Sequence, residues 1–149
     1  MPNHDVHWPV GTASGAAYAL YMGYGQPSSH VVAETVGGGF GGFVGGVLPD
    51  RIDTPDCPQH RAEAHSMAVT GTIGWILKDN LPEWQSWLRS QADRFATMRA
   101  RSTSAPHQFF FWLAEYFCRF LAGLIAGLLA GYASHLTLDF LTPMSLPVL

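Results

Sequence analysis

Near the end of the 149-residue chain, His135 and Asp139 stand four positions apart in Gly131-Tyr-Ala-Ser-His135-Leu-Thr-Leu-Asp139-Phe-Leu-Thr-Pro143. If the apolar helix before them continues, the two side chains share one face. An imidazole and a carboxylate so placed bind one metal ion together, or the carboxylate orients the ring. More groups of the same chemistry lie elsewhere. Asp50 and Asp53 follow Leu48-Pro49, His60 and His65 bracket Arg61 and Glu63, and His4 and His7 lie near the N-terminus. Imidazoles and carboxylates without cysteine suit zinc, or manganese, iron or nickel at a six-coordinate site. Each residue also has a plainer role open to it. Asp50 and Asp53 can cap helices or pair with Arg51 and Arg61, and a His-x-x-x-Asp pair at a helix end can be a cap.

The elements that would position these groups are apolar and rich in glycine. Hydrophobic residues make up 48% of the chain and charged residues 13%, where globular domains carry roughly 25% charged. With 16 glycines as well, the composition suits a helical membrane protein better than a soluble enzyme. The net charge of −3 and the lack of a dense basic patch argue against a nucleic-acid partner. Cys57 lies in a Pro-rich stretch and Cys118 in an apolar one, so no disulfide is expected between them. No basic region precedes an apolar run at the N-terminus, so membrane insertion would use internal segments.

Small residues recur every four positions in three apolar segments. Gly11, Gly15, Ala19 and Gly23 fall in residues 10–25. Gly37, Gly41 and Gly45, interleaved with Gly38, Gly42 and Gly46, fall in 30–48. Gly123, Gly127 and Gly131 fall in 109–134. Such stripes let helices approach closely. The Gly run is not a phosphate loop, since it ends in Leu-Pro-Asp and not Gly-Lys-Ser/Thr. Another apolar segment runs from about Ala62 to Leu77, and its uncharged portion, 66–77, is too short to span a bilayer straight. Residues 26–29 read as a turn and 49–61 as a loop with three prolines. Residues 78–101 have Leu81, Trp84, Trp87, Leu88, Ala92 and Phe95 at helical spacing among charges, which makes an amphipathic helix. Glu115 and Arg119, at i,i+4, are able to pair.

The expected fold is therefore all-α: one domain over residues 1–149, a Gly-rich transmembrane or membrane-associated bundle of about four apolar helices plus one amphipathic helix, with 78–107 as a polar insert. If the segments alternate in direction, one end of the bundle gathers His4, His7, His60, His65 and His135 with Asp50, Asp53, Asp56 and Asp139. The other end gathers His30 and His107.

The segments Gly46-Val-Leu-Pro-Asp50-Arg-Ile-Asp53, His60-Arg61-Ala-Glu-Ala-His65-Ser66 and His135-Leu-Thr-Leu-Asp139 resemble, in that order, the membrane-bound predicted metal-dependent hydrolases of the YdjM type. These are LexA-regulated inner-membrane proteins of some bacteria. The resemblance runs from His4 to the C-terminus, with Ala62-Glu63-Ala64 standing where the family has Gly-x-Thr. It implies a bacterial inner-membrane location. The chain is also remotely similar to zinc-dependent phospholipase C, which implies a phosphoester or lipid substrate.

The expected function is a membrane-bound metal-dependent hydrolase with one or two divalent ions, zinc foremost. His65, His135, Asp139 and Asp50 would hold the metal, with Asp53, His60 and His4 or His7 completing the set. Glu63 would serve as general base, and Arg61 would hold a phosphate or carboxylate. Membrane lipid is the expected partner, along with helix-packing proteins or a homo-oligomer. Two alternatives remain open. One is a non-catalytic membrane subunit packed through its Gly stripes in a larger complex, and the other is a soluble helical metalloenzyme. Lys78, Arg89, Arg94, Arg99 and Arg101 outnumber Arg51 and Arg61, which places 78–107 in the cytoplasm and the metal-binding end outside.

Overall fold

The computed structural model describes residues 4–52 and 67–141. Among them are four α-helices: α1 (His4–Met22), α2 (Ser28–Ile52), α3 (Met67–Arg101) and α4 (Ala105–Phe140). The chain is all-helical over the described residues, as its patterning indicates. The connections follow local chemistry. Gly25 takes a left-handed φ of 87° between α1 and α2, a conformation a side chain resists. The Pro27 carbonyl then accepts from His30 and Val31 N–H at 2.9 and 3.1 Å, which starts α2. Before α4, Ser104 is extended (φ −92°, ψ 121°) and a proline lies in the first turn, where a missing N–H costs nothing.

Three expectations change. Residues 66–77 and 78–101 do not form separate elements, since α3 runs without a break from Met67 to Arg101. Polarity shifts along this helix, but Lys78-Asp79-Asn80 contains no breaker. Pro82 removes only the N–H that would have met the Lys78 carbonyl. Among the described residues the bundle thus has four helices, not five. Only two of them are long and apolar enough to cross a membrane, α2 over Ser28–Arg51 and α4 over Ala105–Phe140. Second, residues 49–52 of the expected 49–61 loop are helical, because α2 carries Pro49 within it and continues to Ile52; residues 53–61 lie outside the described residues. Asp50 is therefore held by a helix. Third, α1 starts at His4, ahead of the apolar segment at residues 10–25, and carries Pro9 inside it.

α2 and α4 form the most extensive helix pair. α1 packs on both, and α3 packs on α4. The two Gly rows of α2 divide the work. Gly38, Gly42 and Gly46 lie against α1, where a Cβ on Gly42 would fall on the Gly11 carbonyl and one on Gly46 would meet His7 O at 2.8 Å. Gly37, Gly41 and Gly45 lie against the α4 backbone at Phe120, Leu124 and Leu128. From α4, Gly123, Gly127 and Gly131 sit on the carbonyls of Glu34, Gly38 and Gly42. Close backbone approach replaces side-chain interdigitation here, as at small-xxx-small crossings.

These seams should tolerate no added methyl group. Gly127→Ala, whose Cβ would strike the Gly38 carbonyl, is expected to cost about 1–3 kcal/mol through overpacking. Gly71→Ala, in α3 with nothing among the described residues within 4 Å, should instead stabilise by roughly 0.4–1 kcal/mol. Thermal unfolding in detergent, followed by circular dichroism, distinguishes the two.

Candidate metal centre

The packed rows extend beyond their glycines to chemically active residues. On α4 the buried positions include Glu115, Arg119, Gly123, Gly127, Gly131, His135 and Asp139, each four after the last. On α2 the same step links Glu34, Gly38, Gly42, Gly46 and Asp50. On α1 it links His7, Gly11, Gly15 and Ala19. A row with step four stays on one inclined ridge of a helix. When the Gly rows of three helices are pressed together, their flanking polar residues must meet at the ends.

At one end His7, His135 and Asp139 converge, all buried. One ligand-capable atom from each lies within 4.8 Å of the others. His135 Nε2 is 3.4 Å from Asp139 Oδ2 and 3.6 Å from Asp50 Oδ1, and His7 Nε2 is 3.6 Å from Asp139 Oδ1. The two imidazoles stack with centroids 4.0 Å apart. Separations of 3.4–3.6 Å exceed a good hydrogen bond. They lie near the edge of a tetrahedron of ligands around one zinc ion, about 3.3 Å for bonds of 2.0–2.1 Å.

The orientation of His135 fits the same chemistry. Its Nδ1–H donates to the Gly46 carbonyl at 2.7 Å in a fully buried bond. That bond holds the ring in place and turns Nε2 towards the carboxylates. This is the usual arrangement of a metal-ligating histidine whose second nitrogen is held by the protein. The donor set therefore fits a divalent ion at His7, His135 and Asp139, with Asp50 beside it.

Of the expected ligands, the structure brings together His7, Asp50, His135 and Asp139. His4 begins α1, one turn from His7, so the two positions share a face. Asp53, His60, Arg61, Glu63 and His65 lie outside the described residues. At the opposite end, as alternation requires, His30 meets Glu115 and His107 meets the ring of Phe111.

That opposite end holds an ion network that sequence reasoning missed. Glu34, fully buried, receives both Nε and Nη2 of Arg89, at 3.0 and 2.6 Å. Arg89 also donates to the Met22 carbonyl at the end of α1, at 3.0 Å. Arg119 does not take up its i,i+4 partner. It binds Gln26 at 2.6 Å and Asp93, with Glu34 Oε1 at 3.7 Å. Glu115 instead faces His30 and Arg99, each at 3.2 Å. Three carboxylates thus face three guanidiniums, and together with the Met22 carbonyl these contacts join all four helices. The signal was present in the sequence: Glu34 lies four before Gly38, and Arg119 four before Gly123. From Glu34 to Asp50 along α2, as from Arg119 to His135 along α4, the rise is about 24 Å. The ion network and the cluster of His7, His135 and Asp139 therefore lie at opposite ends of the glycine seam.

No family model, curated protein or solved structure matches the chain.

Arg89→Met would leave the Glu34 carboxylate without its two-pronged partner, a loss of about 3–5 kcal/mol for a broken buried pair. A large fall in unfolding temperature is expected. Glu34→Gln/Arg89→Met together should recover part of it, as a double-mutant cycle would show.

Proposed function

We propose that the chain is a membrane-bound, metal-dependent hydrolase whose metal is held by His7, His135 and Asp139 with Asp50. The observation that carries this reading is the buried meeting of two imidazoles and a carboxylate at ligand-edge spacing, with His135 Nδ1 already engaged by a backbone carbonyl. Ionisable side chains at the ends of apolar helices are costly and mark function more often than packing.

Membrane residence is supported by α2 and α4. Only 44% and 33% of their apolar windows are buried, less than a soluble core helix would show. Val32, Val36, Phe40, Phe43, Phe109, Phe110, Leu113 and Phe117 are exposed along them, which suits contact with lipid chains. A bacterial inner membrane, with the metal-binding end on the extracytoplasmic side, follows from the YdjM-type resemblance and from the arginines of the network end.

In this reading the ion is zinc, one or two per chain. Bound there, it would supply a water of lowered pKa and an electrophile for developing negative charge. The protein's own residues do the rest. His135 is held in one tautomer, Asp139 and Asp50 set the negative charge of the site, and the helices around them exclude water from one side. Glu63 would accept a proton from the attacking water, and Arg61 would hold the anionic part of a phosphoester or lipid-like substrate. Asp53, His60, His65 and His4 are the further ligand candidates.

The rival reading, a non-catalytic subunit recruited through Gly stripes, loses its main support. The three stripes are already spent on packing within the chain.

Detergent-purified protein is expected to contain zinc close to stoichiometrically by elemental analysis. His135→Ala and Asp139→Ala should each remove most of it while the helical circular dichroism is kept. Unchanged metal content in both variants would refute the assignment. A C-terminal reporter active only outside the cytoplasm should give signal, since α4 ends at the metal-binding end.

A further inference from the structure

Gly46 stands where three features of the cluster meet. Its carbonyl accepts the Nδ1–H of His135 at 2.7 Å. Its position on α2 is one turn before Asp50, so the two share a face. Its lack of a side chain lets α1 come in close. A Cβ there would lie 2.8 Å from the His7 carbonyl oxygen and 3.2 Å from Gly11 Cα. Both obstacles are backbone of a packed helix, so relief requires moving α1, and His7 moves with it.

From this we propose that Gly46 is a positioning residue of the metal centre, beyond its part in the helix seam. It sets the tautomer and direction of His135 through its carbonyl, and through its missing side chain it sets the distance at which α1 presents His7. The inference rests on the metal-binding reading above. It adds that one position on a third helix governs both imidazoles.

The remaining glycines of the same row provide the contrast. Gly38 is equally closed to a side chain, since a Cβ there would strike Ala19 Cβ and come 2.6 Å from the Gly15 carbonyl oxygen. It lies about 12 Å along α2 from Gly46, however, and touches no residue of the cluster. A packing role predicts that Gly38→Ala and Gly46→Ala behave alike. A positioning role predicts that they separate.

Zinc affinity would be measured by chelator competition on detergent-purified wild type, Gly38→Ala, Gly46→Ala, His7→Ala and the His7→Ala/Gly46→Ala pair. Cobalt spectra would serve as a second readout. Both glycine variants should unfold at lower temperature. Only Gly46→Ala should weaken zinc, by about 10–100-fold, the scale seen when the support of a ligand is disturbed, here because the added Cβ displaces α1 and His7 with it, and only it should alter the cobalt d–d bands. In the double variant the glycine substitution should add much less than it does alone, because its main target is already gone. Equal zinc affinity in wild type and Gly46→Ala, or an equal loss in Gly38→Ala, would overturn the proposal while leaving the metal centre standing. Absence of zinc binding in the wild type would instead overturn the centre itself, and the proposal with it. Should Gly46→Ala fail to fold, nitrogen NMR of histidine-labelled, zinc-loaded wild type still decides. Protonated Nδ1 with zinc on Nε2 at His135 supports the assignment, and the reverse tautomer refutes it.

Discussion

Backbone-to-backbone contact along α2 is the constraint on which the rest of the structure depends. Gly38, Gly42 and Gly46 on one row and Gly37, Gly41 and Gly45 on the other bring α1 and α4 so close that added Cβ atoms would land on carbonyls. A helix with this much glycine is poor by propensity, losing about 1 kcal/mol per residue against alanine. It holds its shape because both sides are occupied along most of its length. In a bilayer the cost of breaking its backbone hydrogen bonds adds to this. The same closeness sets the geometry of the ends. Without intervening side chains to adjust, the relative positions of His7, Asp50 and His135 follow from where the backbones touch.

The two polar clusters do different physical work. At the network end charges are matched, with three guanidiniums against three carboxylates and two-pronged contacts such as Arg89 on Glu34. A charge-paired set of this kind ties the helices together. At the other end two imidazoles and a carboxylate, with Asp50 at their edge, gather at distances longer than hydrogen bonds. A cation is the natural complement of such a set.

The helices and the sorting of polar groups were legible in the sequence because both depend on period. The recurrence of small residues every four positions marks the packing faces of α1, α2 and α4, and alternation of direction then puts His7, Asp50, His135 and Asp139 at one end. The true lengths of α2 and α3 were not legible. Pro49 looks like a break in one dimension, and the change of polarity at residue 78 looks like the start of a new element, yet α2 and α3 each run through. The partners of Glu115 and Arg119 were also hidden. The i,i+4 spacing suggests that they pair, but both lie on the buried row of α4, where groups from α2, α3 and the α1–α2 turn compete for them. Nothing local to residues 115–119 encodes Gln26, His30, Asp93 or Arg99.

The reach of Arg89 also bears on how the chain is made. Met22 ends α1 and Glu34 lies in α2, but the side chain that ties them together comes from α3, and Arg119 arrives only with α4. A nascent α1–α2 hairpin emerging from the ribosome therefore carries a buried-facing carboxylate and a loose helix end with nothing to close them. The first half of the protein cannot reach its final packing until the second half has been synthesised. Assembly is completed from the C-terminal side, and a truncated chain would be left open at the network end, available to quality-control proteases.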